Sequence, residues 1–133
     1  MVEISRRKCP YGKIYSCCEK TDYNLSYNRL QSRVLYGDLT YYDLGLTACG
    51  KVYKNSDLVA AVAFGHFRSL NPNLDSICGR RARIYNNKGR SVVVKIVDKC
   101  GGCKWGDIDV SRAAFRKLEP LSVGRTRVKW HYI

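Results

Sequence analysis

Seven cysteines are set in a chain of 133 residues, and no other feature restricts its fold as strongly. Cysteine at that density goes with disulfides, and disulfides persist in oxidising compartments. The chain is therefore read as secreted and extracellular. Its opening residues, Met-Val-Glu-Ile-Ser-Arg-Arg, hold no apolar signal-peptide core, so a removed signal is the expectation. Seven is odd, which leaves one thiol free or paired with another chain. The cysteines fall into two groups. Cys9, Cys17 and Cys18 lie in Met1–Tyr36, and Cys49, Cys78, Cys100 and Cys103 lie in Gly37–Ile133.

Met1–Tyr36 is polar, basic and dotted with tyrosines, and its hydrophobic periodicity is poor. Cys17 and Cys18 do not readily bond to each other. Cys9 with either would close a short loop around Tyr11-Gly12. The segment reads as a basic, cysteine-containing extension, either an arm tied down by a disulfide or a processing or interaction segment.

From Gly37 the pattern is regular. Asp38–Tyr42 is β-branched and aromatic and predicts a strand. Leu58–Ala63 is a short apolar run, a buried strand by length. Asn71-Pro72-Asn73 marks a turn. Arg81–Tyr85 alternates polar and apolar residues, Asn86–Arg90 is a hairpin turn, and Ser91–Asp98 is the clearest strand. Ser111 is a good N-cap for a helix through Ala113, Ala114, Phe115 and Leu118, which Pro120 stops. Thr126–Ile133 alternates again. Many short strands with one short helix argue for an all-β barrel. With 45% hydrophobic residues the chain can bury a core. It has no run of 18 apolar residues, which excludes a transmembrane helix.

The formal net charge is +13. A balance like this favours acidic partners: phosphates, pectin-like polysaccharides, anionic membranes or nucleic acid. The alternative is a merely solvated surface, because the basic residues form no long block. Arg80, Arg81 and Arg83 are the densest cluster, and no nucleic-acid motif accompanies them, so no specific nucleic-acid partner is expected.

Gly37-Asp38-Leu39-Thr40-Tyr41-Tyr42, Ala48-Cys49-Gly50, Cys78-Gly79-Arg80 and Val97-Asp98-Lys99-Cys100-Gly101-Gly102-Cys103 follow one another in order. Asp107-Ile108-Asp109-Val110-Ser111, Gly124 and Val128-Lys129-Trp130 complete the series. Together they resemble the double-psi β-barrel family, which includes expansin domain-one proteins, barwin, kiwellins and small secreted fungal relatives. The resemblance covers Gly37–Ile133. It implies a six-stranded double-psi β-barrel with a groove on one face, lined by the first strand and two acidic loops. It also implies two disulfides among Cys49, Cys78, Cys100 and Cys103. Their pairing stays open, and a Cys100–Cys103 bond is the least useful of the options for stapling distant strands. The Cys-x-x-Cys spacing by itself also suits zinc, with Cys49 and Cys78 as further ligands, or a redox pair. No metal and no cofactor is expected.

By the same resemblance Asp109 stands at the acid on which expansin action depends. Asp98 stands at the second polar residue of that site, and Thr40 at the first-strand threonine, beside Tyr41 and Tyr42. These five are the candidate ligand-binding residues. A carboxyl group half-buried beside apolar strands tends to stay protonated to higher pH and can protonate a glycosidic oxygen. Two such groups can hydrolyse the bond. The His-Phe-Asp motif of family 45 glycoside hydrolases is absent, although Asp43 stands near the place of their base. Asp109 is thus the one candidate catalytic acid. A structural alternative stands beside the ligand role, since psi-loops use buried carboxylates to accept backbone N–H bonds.

The expected function is a non-hydrolytic module that binds cell-wall polysaccharide in the expansin-like manner. The alternatives are a secreted protein-binding module, such as a cysteine-protease inhibitor or a kiwellin-like effector-type protein, and a weak glycosidase or lytic transglycosylase. Phe64, His66, Phe67 and Trp105 are the candidate protein contacts. His66 alone reads more simply as a packing residue, and Trp105 as an anchor or as packing over the disulfides. Seven cysteines predict one free thiol, or one interchain bond, per chain. Mass spectrometry after alkylation counts it, and a monomer with no free thiol would contradict the arithmetic.

Overall fold

The computed structural model describes residues 33–69, 71 and 75–133. Cys9, Cys17 and Cys18 lie outside them, as do Pro72 and Asn73 of the expected turn and Leu74 at the end of the loop after Phe64. Val34–Ile133 forms one unit.

Six strands close into a barrel. They are β1 (Leu35–Tyr41), β2 (Val59–Ala63), β3 (Arg81–Tyr85), β4 (Ser91–Cys100), β5 (Ile108–Val110) and β6 (Thr126–Tyr132). Around the barrel the order is β1-β5-β2-β4-β3-β6, with β6 returning to β1. Two pairs, β1 with β5 and β2 with β4, are parallel, and the rest are antiparallel. One helix, α1 (Arg112–Leu118), is capped by Ser111, whose hydroxyl accepts from the Ala114 N–H at 3.2 Å. This is the double-psi β-barrel that the motifs imply. The first strand begins at Leu35, two residues before the motif's Gly37.

Alternation explains the core. Leu39, Ala60, Val62, Ile84, Val94, Ile96, Ile108 and Trp130 point inward and are fully buried or nearly so. α1 seals the barrel with Ala114, Phe115 and Leu118. Asn86 organises the β3–β4 hairpin: its side-chain oxygen accepts from the N–H groups of Lys88 (3.0 Å) and Arg90 (2.8 Å).

The long strand β4 departs from simple alternation. Ala60 pairs with Ile96, but Ala61 pairs with Asp98, so Val97 is an extra residue, a β-bulge. Its side chain is buried, as is that of Ile96. Two loops grip this point. The Cys49 N–H donates to the Val97 carbonyl (3.1 Å), and the Gly79 N–H donates to the Ile96 carbonyl (2.8 Å). The Cys49–Cys78 disulfide joins those loops. Closing a chain of that length restricts the unfolded state by about 3–4 kcal/mol.

The second disulfide joins Cys100 to Cys103, the pairing judged least useful for stapling. It closes a loop of four residues and constrains the unfolded chain by only about 2 kcal/mol. Its effect is local, on the shape of the turn after β4. With all four sulfurs in disulfides, neither a zinc thiolate set nor a dithiol is present in this state. Among the described residues no cluster of three or more His, Cys, Asp or Glu could hold a metal ion.

Two backbones approach closely at Gly37 and Gly106. A Cβ on Gly37 would lie 2.1 Å from the Gly106 carbonyl oxygen, and one on Gly106 would lie 2.0 Å from that of Tyr36. The same Gly106 carbonyl accepts the Trp130 indole N–H at 2.9 Å. Gly106→Ala is expected to lower stability by about 2–3 kcal/mol, at the upper end of overpacking costs. Urea denaturation measures it, and an unchanged midpoint would mean that the loop yields freely.

Candidate functional site

The strand register builds a row of four residues across the outer face. Thr40 on β1 pairs with Asp109 on β5, Asp109 with Ala61 on β2, and Ala61 with Asp98 on β4. Without the bulge at Val97, Asp98 would fall opposite Val62 and turn to the core. With it, both acids share one face, two inter-strand steps apart, or about 10 Å between backbones. The small Ala61 side chain between them leaves an open floor. A groove of about 410 Å³ lies over this row. Asp38 and Arg125 line one side, and Lys99 with the turn Cys100–Cys103 lines the other.

The two acids differ in what surrounds them. Asp98 is saturated. One oxygen accepts from the N–H groups of Ala48 (2.8 Å) and Lys99 (2.9 Å), and the other from the Tyr42 hydroxyl (3.0 Å). Burial and the Asp98 charge push the Tyr42 phenol well above its ordinary range, so it stays a donor. Asp109 accepts the Thr40 hydroxyl at 2.9 Å on one oxygen. Its other oxygen has no hydrogen-bond donor among the described residues. Burial raises the Asp109 pKa and the Asp98 charge adds to this, while the Thr40 hydrogen bond and the Arg125 charge oppose it. Arg125 is itself held by Asp38 at 2.8 Å, and Arg127 contacts the same carboxylate at 3.0 Å. Those two guanidiniums keep the Asp38 carboxyl below the usual range.

Thr40, Tyr42 and Asp109 therefore line the groove, and Asp98 anchors Tyr42 at its end. Tyr41 does not line it. Strand alternation turns its ring to the core side, 4.9 Å edge-on from Phe115, with its hydroxyl donating to the Leu121 carbonyl at 3.0 Å. Asp43 is exposed, bound by Arg112 at 2.8 Å, and outside the groove.

The four aromatic and histidine candidates form a ledge beyond the Cys100–Cys103 turn. Phe64 and Trp105 are more than half exposed. His66 is buried instead, because both of its nitrogens are used within the fold. Nε2 donates to the Trp105 carbonyl (2.8 Å), so Nδ1 accepts the Tyr132 hydroxyl (2.8 Å). Burial lowers its pKa, which keeps this neutral form. Its ring stacks on Trp105 at 3.8 Å and holds the indole from beneath. Phe67 is part-buried against the core. Lys99 lies over the rings of Phe64 (5.2 Å) and Phe67 (5.1 Å), joining ledge to groove.

Sequence reasoning missed Arg125 and the backbone donors of Ala48 and Lys99. No local pattern marks them; they meet the site only through chain segments far apart in sequence. Asp107 opens the Asp107–Ser111 motif. It ties the groove wall by accepting the N–H groups of Asp38 and Lys104, each at 2.9 Å.

A family model described as lytic transglycolase matches residues 34–130. The papain inhibitor of Streptomyces mobaraensis is 35% identical over 100 residues, which cover 73% of this chain and 70% of that protein. The solved structure of a Streptomyces papain inhibitor superposes with a TM-score of 0.72 at 35% identity, over 76% of this chain and 94% of that one. An expansin of Clavibacter michiganensis, solved with cellohexaose, superposes with a TM-score of 0.65 at 23% identity. That match covers 76% of this chain and 50% of the expansin. The chain belongs to the double-psi β-barrel family that the model describes.

The raised pKa of Asp109 makes stability depend on pH. The native state holds this proton more tightly than the unfolded chain, so the contribution is full below the ordinary carboxylate pKa. It is lost as pH rises through the raised value. Asp109→Asn removes it. As pH rises from below the ordinary carboxylate pKa through the raised one, the wild type should lose stability relative to Asp109→Asn, then run parallel to it. Denaturant midpoints across pH test this, and a difference that stays constant or grows would contradict it.

Proposed function

We propose that the barrel is a secreted, non-hydrolytic binding module that takes a cell-wall polysaccharide strand in the groove over Thr40, Ala61 and Asp109. The observation that carries this reading is the unequal state of the two acids. Asp109 offers the groove one oxygen that has no donor among the described residues, ready to hydrogen-bond a sugar hydroxyl. Asp98 has every oxygen committed to donors of its own fold, so it is poorly placed to act as a second carboxylate in hydrolysis. The rims suit a saccharide, with Tyr42 at one end and the Phe64–Trp105 ledge beyond the disulfide turn. Aromatic rings can pack their faces on the apolar faces of sugars. An expansin with the same fold was solved with cellohexaose, which supports the class of ligand by fold analogy alone. The two disulfides favour an oxidising compartment and hence secretion.

A second reading has its own support: the papain inhibitors match at 35% identity, and the solved one is covered over almost its whole length. Under it the barrel is a cysteine-protease inhibitor, and the exposed Phe64–Trp105 ledge is the contact.

Pull-down on insoluble cellulose, chitin and peptidoglycan separates the two. Retention of wild type, with loss of about tenfold or more in Asp109→Ala, is the outcome expected. Papain inhibition that Trp105→Ala abolishes, with no retention on any polysaccharide, would replace the first reading by the second. Reducing sugar released by wild type but not by Asp109→Asn would overturn the non-hydrolytic assignment.

A further inference from the structure

The half of the barrel away from the groove carries a second surface, built on β1, β6, β3 and β4. Alternation turns Tyr36, Lys129, Tyr85 and Ser91 outward in one row across those four strands. A second row sets His131 beside Arg83 and Val93. Further along, Arg81 pairs with Lys95, and Arg127 flanks the first row on the other side. Five cations thus face outward from three strands. The carboxylate facing out among them is Asp38, already bridged by Arg125 and Arg127. Arg81, Arg83, Lys95 and Lys129 have no carboxylate partner among the described residues. A shallow cavity of about 520 Å³ opens on this face, lined by Tyr36, Tyr85, Asn87, Arg127 and Lys129.

Cations left unpaired on a pleated face repel one another, and an anionic chain laid over them removes that repulsion. The rings help to say which polyanion fits. Single-stranded nucleic acid needs successive aromatic faces free for bases to stack on. Tyr85 is not free: His131 stacks on it at 5.7 Å between ring centres, and Lys129 sits over it at 5.8 Å. Among the described residues of this face Tyr36 is the open ring, 67% exposed. Closely spaced cations with one open ring suit a carboxylated sugar chain, which gains from charge pairing and needs at most one ring contact. The disulfides of this domain also favour an oxidising compartment, where acidic glycans are among the polyanions a protein meets.

We infer that the β1–β6–β3–β4 face is a second binding surface, for a polyuronate chain, separate from the groove over Asp109. Its carboxylates pair with Lys129 and Arg83, and one pyranose ring lies on Tyr36. The test is binding of the full chain to soluble polygalacturonate, measured by calorimetry or gel retardation at low and physiological salt. The comparison arms are the fully methyl-esterified polymer and single-stranded DNA of equal length. Polygalacturonate should bind, with affinity falling as salt rises. The ester should bind far more weakly, and the DNA less tightly than the uronate. The pair of reversals Arg83→Glu and Lys129→Glu should weaken polygalacturonate about tenfold or more. Lys129 is exposed and Arg83 half-buried, so an unchanged melting temperature certifies the fold of the variant; Arg83→Gln with Lys129→Gln, giving a smaller loss, serves if it does not. Equal binding of the ester, tighter binding of DNA, no binding at low salt, or affinity unmoved by either pair would each overturn the inference.

Discussion

The extra residue at Val97 is the constraint on which the site depends. A strand that alternates strictly from Val92 would send Asp98 into the core, where an unpaired carboxylate is prohibitively costly. One inserted residue lets Ile96 and Val97 both bury and delivers Asp98 to the outer face, level with Asp109. Bulges are commonly found next to functional sites because they re-aim a side chain in this way. Here the bulge is not left to the strand alone. Backbone bonds from Cys49 and Gly79 hold it from two loops, and the disulfide between Cys49 and Cys78 locks the loops to each other. The cysteines that first marked the chain thus hold its most consequential irregularity.

Much of the barrel was legible because it rests on local pattern. Arg81–Tyr85 and Ser91 onward alternate plainly, Ser111 and Pro120 bracket the helix, and Asn86–Arg90 reads as a turn. The five strands visible by periodicity fell short of six. Ile108–Val110 is only three residues long, too short for any period to register, and came only through the resemblance. The strand ends were less clear. β1 extends back to Leu35, because Leu35 and Tyr36 complete the pairing with Trp130 and Lys129 on a strand that lies far along the chain.

The site was legible in part. Thr40, Asp98 and Asp109 could be named from motif order, yet the difference between the acids could not. It arises from three donors, of which two are backbone groups at Ala48 and Lys99, and a backbone N–H has no sequence signature. Tyr41 and Tyr42 look interchangeable in sequence, and the pleat assigns one to the core and the other to the groove. His66 drew attention as a histidine beside aromatic residues. Its burial with both nitrogens satisfied makes it the prop of Trp105.

The parallel pairing of β1 with β5 has a kinetic side. Thr40 and Asp109 are 69 positions apart, and Tyr42 and Asp98 are 56 apart. Neither contact can form early from neighbouring segments, and contacts of such long range are reached late and slowly. The groove therefore exists only once these distant segments have met, and a chain lacking either pairing does not present it. A ligand bound there recognises only completed molecules, and its binding energy adds directly to the stability of the closed barrel.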